Sequence, residues 1–498
     1  MLFILADDFG INDISFNAAQ FYETPNIDRL MKAGTVFTNG YAAAPVCSPS
    51  RASIMTGKSV IAHGVTDWIG AKVGQDWGKN HPHTRLAPPE YVHSLDANEL
   101  SIAELFQENG YATFFAGKWH LGTKGSWPTD HGFQINKGGW DSGNPRGGYF
   151  SPYKNPNLED GPDGENLSMR LANETAGFIR DHQETPFFAF LSFYAVHGPI
   201  QTTEAYWKKY RDKAETNGIE MSGFEMERRL PIRKLQDNPV YAGLVQQMDD
   251  AIGRVLDELD RFNLFDNTII VFTSDNGGVA SGDAFSTSNL PFRGGKGYQW
   301  EGGIRVPYVI KINQEVTPVK EASYPVSGQD FLPTLAELCD ILLPTNLVID
   351  GISLAPLWNS EILKERTLFW HYPHYGNQGG DPASIVRKGD MKLVYYWETQ
   401  TTELYNLEVD LGEKNDLSTE LPKINAELKN LLLKHLKGMQ AQFPEENQFF
   451  DTLKRAEYQT YVNQQLLPNL EEQRQKMLDP DYQPNTDWWG SQPIQNNQ

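Results

Sequence analysis

The chain has 498 residues, of which 43 are Lys or Arg and 64 are Asp or Glu, so its formal net charge is −21. A chain of this length exceeds one simple core and indicates two domains of unequal size. The acidic balance without a basic block argues against nucleic acid or an anionic membrane surface as a partner. No apolar run is long enough to predict a membrane span. An anionic substrate would therefore need a local cluster of cations.

The two cysteines, Cys47 and Cys339, exclude a disulfide framework. Cys339 closes an amphipathic helical pattern over 330–339 and is predicted to pack in the core. The chain starts inside an apolar strand, with no basic region or cleavage site before it. We therefore expect either a cytoplasmic protein or one whose signal peptide is absent from this sequence.

Buried strands alternate with helices over the first 360 residues. Apolar runs predict strands at 1–5, 36–37, 111–116, 186–194 and 267–273. Capping residues and glycine stops predict helices at 24–30, 98–109, 165–181 and 238–264. This alternation predicts an α/β fold in which a large, mostly parallel or mixed sheet lies between helices.

The pattern changes near residue 360, where short strands follow one another at hairpin spacing. Strands are predicted at 367–370, 384–387, 391–396 and 403–407, with a helix at about 422–437. We predict a catalytic α/β domain over 1–360, a smaller α+β domain with an antiparallel sheet over 361–440, and a polar C-terminal extension over 441–498. We expect the extension, with Trp488 and Trp489 near its end, to wrap the first domain or to be partly mobile.

Four predicted strands are followed at their carboxyl ends by acid, amide or basic side chains. These are Asp7 and Asp8, then Lys118 and His120, then His197, and finally Asp275 and Asn276. Carboxyl ends of strands face the ligand crevice of an open α/β sheet. Caps and turns would explain one such strand end but not all four. The acids and the amide offer only oxygen donors, which suit a hard cation such as calcium or magnesium better than zinc.

A cysteine opens the stretch Cys47-Ser48-Pro49-Ser50-Arg51-Ala52-Ser53-Ile54-Met55-Thr56-Gly57. The run is helix-like, so we expect its amides and Arg51 to make this place electropositive and to lower the pKa of the thiol. A buried structural cysteine at a turn is the alternative interpretation.

Cys-x-Pro-x-Arg followed by Ser-x-Met-Thr-Gly resembles the signature of the type I sulfatases, members of the alkaline phosphatase superfamily. Further segments are similar to blocks of that family, in the family's order, and extend the resemblance over roughly residues 1–440. They are Ala6–Gly10, Gly117–Gly122, Ser274–Gly278, Arg293–Gly297, Glu301–Pro307 and Leu404–Glu408.

The resemblance implies that a formylglycine-generating maturase oxidises Cys47 and that the hydrated aldehyde is the nucleophile. It implies calcium, or else magnesium, held by Asp7, Asp8, Asp275, Asn276 and the modified Cys47. Arg51 and His120 would orient the formylglycine, and Lys118, His197 and Lys296 would contact the sulfate. His197 or Lys296 would protonate the leaving oxygen. A periplasmic or secreted location is expected from the family.

The glycine-rich segment 138–162 resembles that of bacterial sulfatases of polysaccharide degradation. This implies a sulfated carbohydrate as substrate, with a galactose- or N-acetylgalactosamine-type 4-sulfate as the specific expectation. Candidate substrate contacts are Trp68, Trp140, Arg146, His371 and His374. Two alternatives stay open at this point: a formylglycine-dependent phosphate or phosphonate ester hydrolase, and an inactive sulfoglycan-binding protein.

Overall fold

The computed structural model describes residues 1–17, 20–313, 320–482 and, for the backbone alone, 491–494. Its largest feature is an eight-stranded mixed sheet, which confirms the predicted α/β architecture. In chain order its strands are β1 (Leu2–Ala6), β2 (Thr35–Phe37), β3 (Ala112–Gly117), β4 (Ile135–Lys137), β5 (Phe187–Ser192), β6 (Ile270–Ser274), β7 (Tyr308–Lys311) and β8 (Glu321–Ala322).

The strands lie in the spatial order β8-β2-β7-β6-β1-β5-β3-β4. The central strands β6, β1, β5 and β3 are parallel, so that Leu2 of β1 pairs with Ile270 on one side and Ala189 on the other. β7 is antiparallel to both of its neighbours. Four parallel strands therefore end at one edge of the sheet, and the polar residues that follow them meet there.

Helices pack on both faces of the sheet. In chain order, the α-helices of the described residues are α1 (Pro25–Ala33), α2 (Cys47–Thr56), α3 (Val60–His63), α4 (Gly74–Asn80), α5 (Ile102–Glu108), α6 (Leu167–Asp181), α7 (Glu204–Asn217), α8 (Pro239–Arg261), α9 (Glu301–Ile304), α10 (Phe331–Leu338), α11 (Pro422–Gly438), α12 (Thr452–Tyr461) and α13 (Leu467–Leu478). Successive residues of a strand point to opposite faces. Leu2 and Ile4 pack with α1, α6 and α8, whereas Phe3 and Leu5 pack with α2, α5 and α10. Among the described residues, every helix is too short or too polar to span a bilayer.

Several helices start after a side-chain cap, and one of these caps corrects a prediction. α8 begins after Asn238, whose Oδ1 accepts hydrogen bonds from the amides of Val240 and Tyr241. The helix predicted to start at Asn98 begins at Ile102, because Ser101 and Glu104 form a reciprocal capping box. Asn98 instead donates to Asp96 in the preceding turn.

The C-terminal part contains the predicted antiparallel sheet and helix. Its strands are β9 (Thr367–Tyr372), β10 (Ala383–Lys388), β11 (Met391–Tyr396) and β12 (Thr402–Asn406), paired in that order. α11 packs on this sheet through Leu428, Leu432 and Leu436. The buried Lys392 of β11 joins the two parts, because its Nζ lies 2.9 Å from Glu301 and 2.7 Å from Glu413.

The described part of the extension packs on the first part of the chain. Glu445–Glu446 pairs with Leu86–Ala87 as a short antiparallel ladder. At the end of α13, Met477 and Leu478 are buried in the same core cluster as β1. Trp488 and Trp489 lie outside the described residues, and the domain boundaries proposed from the sequence stay predictions.

Candidate active site

The parallel strands deliver their polar residues to one buried cluster at the sheet edge. Asp7 and Asp8 follow β1, Lys118 follows β3, and Asp275 and Asn276 follow β6. Each of these side chains is at most 1% exposed. So many charged groups are kept out of water only where each finds a partner of opposite charge or a metal.

Asp7 and Asp275 are held by two cations. Lys118 donates from Nζ to Oδ2 of Asp7 at 2.7 Å, and Arg51 donates from Nε to Oδ2 of Asp275 at 2.7 Å. Arg51 also donates to the Lys118 carbonyl and to Ser192 Oγ, at 2.8 Å each. Arg51 therefore fixes helix α2 against the ends of three strands.

Asp8 contacts the remaining groups of the cluster. Lys296 donates from Nζ to its Oδ2, and Asn276 from Nδ2 to its Oδ1, both at 2.8 Å. The Sγ of Cys47 lies 3.9 Å from the same Oδ1. Burial alone would raise the pKa of Asp8, but Lys296, His197 and Lys118 outweigh it and hold that pKa well below its usual range. Asp8 is therefore an anion at neutral pH.

The sequence predicted a lowered pKa for the Cys47 thiol, and the structure corrects this prediction. Cys47 is the first residue of α2 and is buried. Burial raises its pKa to about 12, and Asp275 and Asp7 add to this, whereas Lys118 and Lys296 oppose it. The helix amides and Arg51 do not compensate for the loss of water. As an unmodified residue, Cys47 is thus a protonated thiol and a poor nucleophile.

The oxygen donors of the cluster fit a hard cation. Ligand atoms of Asp7, Cys47 and Asp275 all lie within 4.8 Å of one another. Among the described residues, Oδ1 of Asp7 and Oδ1 of Asn276 are buried and accept no hydrogen bond. Leaving such oxygens without a partner costs about 1–3 kcal/mol each. A calcium or magnesium ion would satisfy both, because these ions take carboxylate and amide oxygens as ligands.

The two histidines of the cluster are neutral. Burial, with Lys118, lowers the pKa of His120 well below its usual value. Burial and Lys296 lower the pKa of His197 to about 4 against the opposing charge of Asp8. His197 Nε2 lies 3.8 Å from Oδ2 of Asp8. A Cβ on Gly143 would stand 2.4 Å from Cε1 of His120, so the glycine-rich loop closes tightly over this ring.

A cavity of about 420 Å³ opens above the cluster. Its lining residues are Val46, Cys47, Trp68, Ile69, Gly70, His120, Asp141, Gly143, Asn144, Arg146, His197, Asp283, Lys296, Asn377 and Gln378. Cys47, His120, His197 and Lys296 therefore reach the cavity, whereas Lys118 is fully buried beneath it. Hard-cation ligands and a cysteine at the floor of a polar pocket make this cavity the candidate active site.

The predicted substrate contacts divide into two groups. Trp68 and Arg146 line the cavity. Trp140 lies outside its lining and donates from its indole to Tyr194. His371 is buried between Ser384 and the Gln442 carbonyl, and His374 is buried against Thr66, so neither reaches the cavity.

Several lining residues were not singled out from the sequence, among them Asp283, Asn377 and Gln378. They lie in irregular loops, where no hydrophobic period indicates which side chain points inward. The only local signal was their position in glycine-rich segments near the predicted site.

A buried acid next to Trp68 gives a prediction about stability. Asp67 accepts hydrogen bonds at Oδ1 from the Trp68 amide and the Tyr372 hydroxyl. Its Oδ2 lies 3.6 Å from Nδ1 of His374, a nitrogen without a hydrogen bond among the described residues. Burial raises the pKa of Asp67 to about 7 and lowers that of His374 to about 3. Between about pH 4 and pH 7 a protonated Asp67 therefore faces a neutral imidazole.

Replacing Asp67 by asparagine is expected to stabilise the protein above pH 7 by about 1–2 kcal/mol. Between about pH 4 and 7 the folded carboxyl keeps a proton that the unfolded chain has released, so wild-type stability falls as the pH rises through this window. Asparagine keeps both accepted bonds and always offers an N–H toward His374. Urea unfolding at pH 5 and pH 8 measures the effect, with the exposed Asp181→Asn as control. A variant as pH-sensitive as the wild type would contradict it.

Comparison with known proteins places this geometry in a family. The family model described as Sulfatase matches residues 1–341, and that described as N-sulphoglucosamine sulphohydrolase, C-terminal, matches residues 295–442. A sulfatase of Formosa agariphila is 29% identical, over 87% of this chain and 89% of its own length. The steryl-sulfatase of Rattus norvegicus is also 29% identical, over 74% and 72%.

Human N-acetylgalactosamine-6-sulfatase is 28% identical, over 84% of this chain and 75% of its own length. The solved structure of Ps i-CgsB in complex with k-i-k-neocarrahexaose superposes with a TM-score of 0.71 at 24% identity, covering 95% of this chain and 99% of that chain. At this identity the structural likeness speaks for the fold alone.

Proposed function

We propose, since the chain belongs to the sulfatase family and is a sulfate ester hydrolase, that it removes sulfate from a sulfated carbohydrate. We propose further that it does so with a formylglycine made from Cys47 and with a bound calcium ion. The observation that carries this is the position of Cys47, buried at the floor of the cavity among Lys296, His197 and the unpaired oxygens of the acid cluster.

Cations at the cavity floor support the capture of a sulfate ester. The chain as a whole carries a charge of −21 and repels anions at long range. Lys296 reaches the cavity wall, and Lys118 and Arg51 lie in the buried layer below it. In a site with little water these charges stabilise an anion far more than they would on the surface.

The cation and the formylglycine would divide the chemistry between them. A cation supplies charge neutralisation at the sulfate oxygens, and a formylglycine supplies the nucleophile that an unmodified Cys47 thiol with a pKa of about 12 does not. Asp7, Asp8, Asp275 and Asn276 would hold the cation. Because Arg51 is bonded to Asp275 and lies one helical turn from Cys47, it orients residue 47 toward the metal ligands.

Proton transfers fall to the histidines and to Lys296. Neutral His120 can accept a proton at Nδ1, which has no partner among the described residues, while its Nε2 bonds to the Ile69 carbonyl. Lys296 is a protonated donor, because nearby carboxylates, Asp8 first among them, more than offset the effect of burial and raise its pKa well above the usual value. We therefore assign protonation of the leaving oxygen to Lys296, with His197 beside it.

The cavity lining favours a carbohydrate over a steroid. Asp141, Asn144, Arg146, Asn377 and Gln378 offer carboxylate, amide and guanidinium groups at the cavity wall. These groups match the hydroxyls of a sugar, whereas a steroid would leave their remaining donors and acceptors unused, at a cost of about 1–3 kcal/mol for each group left unpaired. Trp68 offers the one large apolar ring of the lining, which suits the face of a sugar. A 4-sulfated galactose or N-acetylgalactosamine remains our specific proposal.

Two alternatives call for direct tests. A phosphate or phosphonate ester hydrolase would use a similar anion pocket, and a protein whose Cys47 is never converted would only bind. The expected maturase partner and the periplasmic or secreted location stay predictions as well.

Mass spectrometry and two parallel assays test the proposal. Protein co-expressed with a formylglycine-generating enzyme should yield a peptide around Cys47 that is lighter by about 18 Da. The same sample should hydrolyse 4-nitrophenyl sulfate faster than 4-nitrophenyl phosphate. It should also release sulfate from at least one of galactose 4-sulfate, N-acetylgalactosamine 4-sulfate and N-acetylgalactosamine 6-sulfate. Faster cleavage of the phosphate would instead support a phosphate or phosphonate ester hydrolase. If Cys47 were not converted to formylglycine, an inactive sulfoglycan-binding protein would be favoured.

A further inference from the structure

One carboxylate, that of Asp283, lies in the cavity proposed to bind an anionic sulfate ester. Asp283 lines the cavity together with Cys47, His197 and Lys296. Its Oδ2 lies 3.6 Å from Nζ of Lys296, farther than the 2.8 Å that separates this ammonium from Asp8. Its side chain is 22% exposed, so the carboxylate is open to the cavity while its cationic neighbour is already paired.

Asp283 lies in a loop whose backbone is held in an uncommon conformation. Gly282, Asp283 and Phe285 all have positive φ, at 57°, 39° and 46°. Such values are uncommon for residues other than glycine and are kept where the surroundings enforce them. Gln378, from a loop in contact with this one, donates from Nε2 to Oδ2 of Asp283 at 2.5 Å.

Gly282 allows the two loops to come this close. A Cβ at this residue would stand 2.7 Å from Cα of Gln378 and 2.8 Å from the Asn377 carbonyl. The loops 282–285 and 376–378 therefore touch through backbone, and the Asp283 carboxylate is held in place rather than free to turn away.

Simple ion pairing with Lys296 explains this arrangement poorly. Asp8 already neutralises Lys296, and a second carboxylate weakens the local positive field that attracts a sulfate ester. The carboxylate has acceptor sites beyond the one used by Gln378. A substrate group that donates a hydrogen bond would occupy them, and in a sugar sulfate the donors are hydroxyls.

We infer that Asp283 determines specificity by accepting a hydrogen bond from a hydroxyl next to the sulfate ester that is cleaved. The inference rests on the proposed carbohydrate substrate. It deepens that proposal by predicting that the sugar carries a free hydroxyl at the neighbouring position. A second sulfate there would place an anion against the carboxylate, so the site excludes sugars that are disulfated at adjacent positions.

The test compares substrates rather than a single rate. Asp283→Asn and Asp283→Ala are assayed on 4-nitrophenyl sulfate, which has no neighbouring hydroxyl, and on the best of the three sugar sulfates named above. A site built to bond a hydroxyl discriminates strongly against its absence. We expect the ratio of kcat/KM for the sugar to kcat/KM for the aryl sulfate to fall about 10- to 100-fold. The exposed Asp181→Asn controls for the loss of one negative charge and should leave this ratio unchanged.

A second comparison uses the sugar with a second sulfate on the nearest ring hydroxyl, such as galactose 3,4-disulfate for a 4-sulfate or N-acetylgalactosamine 4,6-disulfate for a 6-sulfate. The wild-type preference for the monosulfated sugar should shrink at least several-fold in both variants. An equal loss on all substrates would overturn the inference, because Asp283 would then act only through Lys296. In that case the proposed function would stand. Wild-type protein that cleaves 4-nitrophenyl sulfate but none of the sugars would overturn both.

Discussion

Cys47→Ala is expected to lower kcat for 4-nitrophenyl sulfate by about 10⁵-fold or more, the loss that follows removal of a covalent nucleophile. The reason is geometric, because Cys47 lies at the cavity floor and 3.9 Å from the proposed metal ligand Asp8. The comparison is made on protein from the same maturase co-expression, with kcat and KM measured for both proteins.

The second cysteine offers a matched control. Cys339 is a free thiol that lies partly buried beside the core cluster of α10, away from the cavity lining. Cys339→Ala should keep turnover within a few-fold of the wild type. If both variants lost activity equally, the loss would reflect a general effect of removing a thiol, and the catalytic assignment of Cys47 would be wrong.

Fold and metal binding should survive the Cys47 substitution. Truncation to alanine removes one buried sulfur, for which we expect a cost of about 1 kcal/mol. The four oxygen donors proposed for the cation stay in place. Calcium titration by calorimetry should therefore still show one site, with an affinity lowered by the loss of a single ligand. Turnover near the wild-type rate in Cys47→Ala would refute the formylglycine assignment.

The site could be located from the sequence because it depends on strand ends. Each buried strand is a short apolar run, and the residue after it is marked by a change to acid, amide or base. Asp7 and Asp275 are 268 residues apart in the chain, yet they meet because β1 and β6 are parallel neighbours. The rule that carboxyl ends of parallel strands share an edge was enough to group these acids, whereas Cys47 and Lys296 entered the candidate site through the family resemblance.

What sequence reasoning missed depends on burial and on loops. The pKa of Cys47 follows from the depth of the thiol under the cavity, which the chain around residue 47 does not encode. The start of α5 is a different case: Asn98 and Ser101 are both good helix caps, but Ser101 followed by Glu104 is a capping-box pattern that the sequence itself contains. Asp283 reaches the cavity through a left-handed loop and a contact with Gln378, and neither has a pattern in sequence.

Lys296→Ala is expected to lower kcat/KM for aryl and sugar sulfates by about 10²–10³-fold, the usual cost of removing one preorganised donor at a developing charge. Lys296 lines the cavity and donates to Asp8. Its loss therefore weakens sulfate binding and removes a positive charge that neutralises the Asp8 carboxylate. Inorganic sulfate should also inhibit the variant less strongly. An unchanged rate together with unchanged inhibition by sulfate would remove Lys296 from the site.

Lys118→Ala separates substrate contact from support of the metal site. Lys118 is fully buried, lies outside the cavity lining and is bonded to Asp7. Its removal should act first on calcium affinity, because without Lys118 burial favours the protonated form of Asp7, and excess calcium should restore part of the rate. Lys296→Ala should not be rescued in this way, since a group that touches the substrate cannot be replaced by a filled metal site. Equal rescue of both variants would show that the two lysines play the same part.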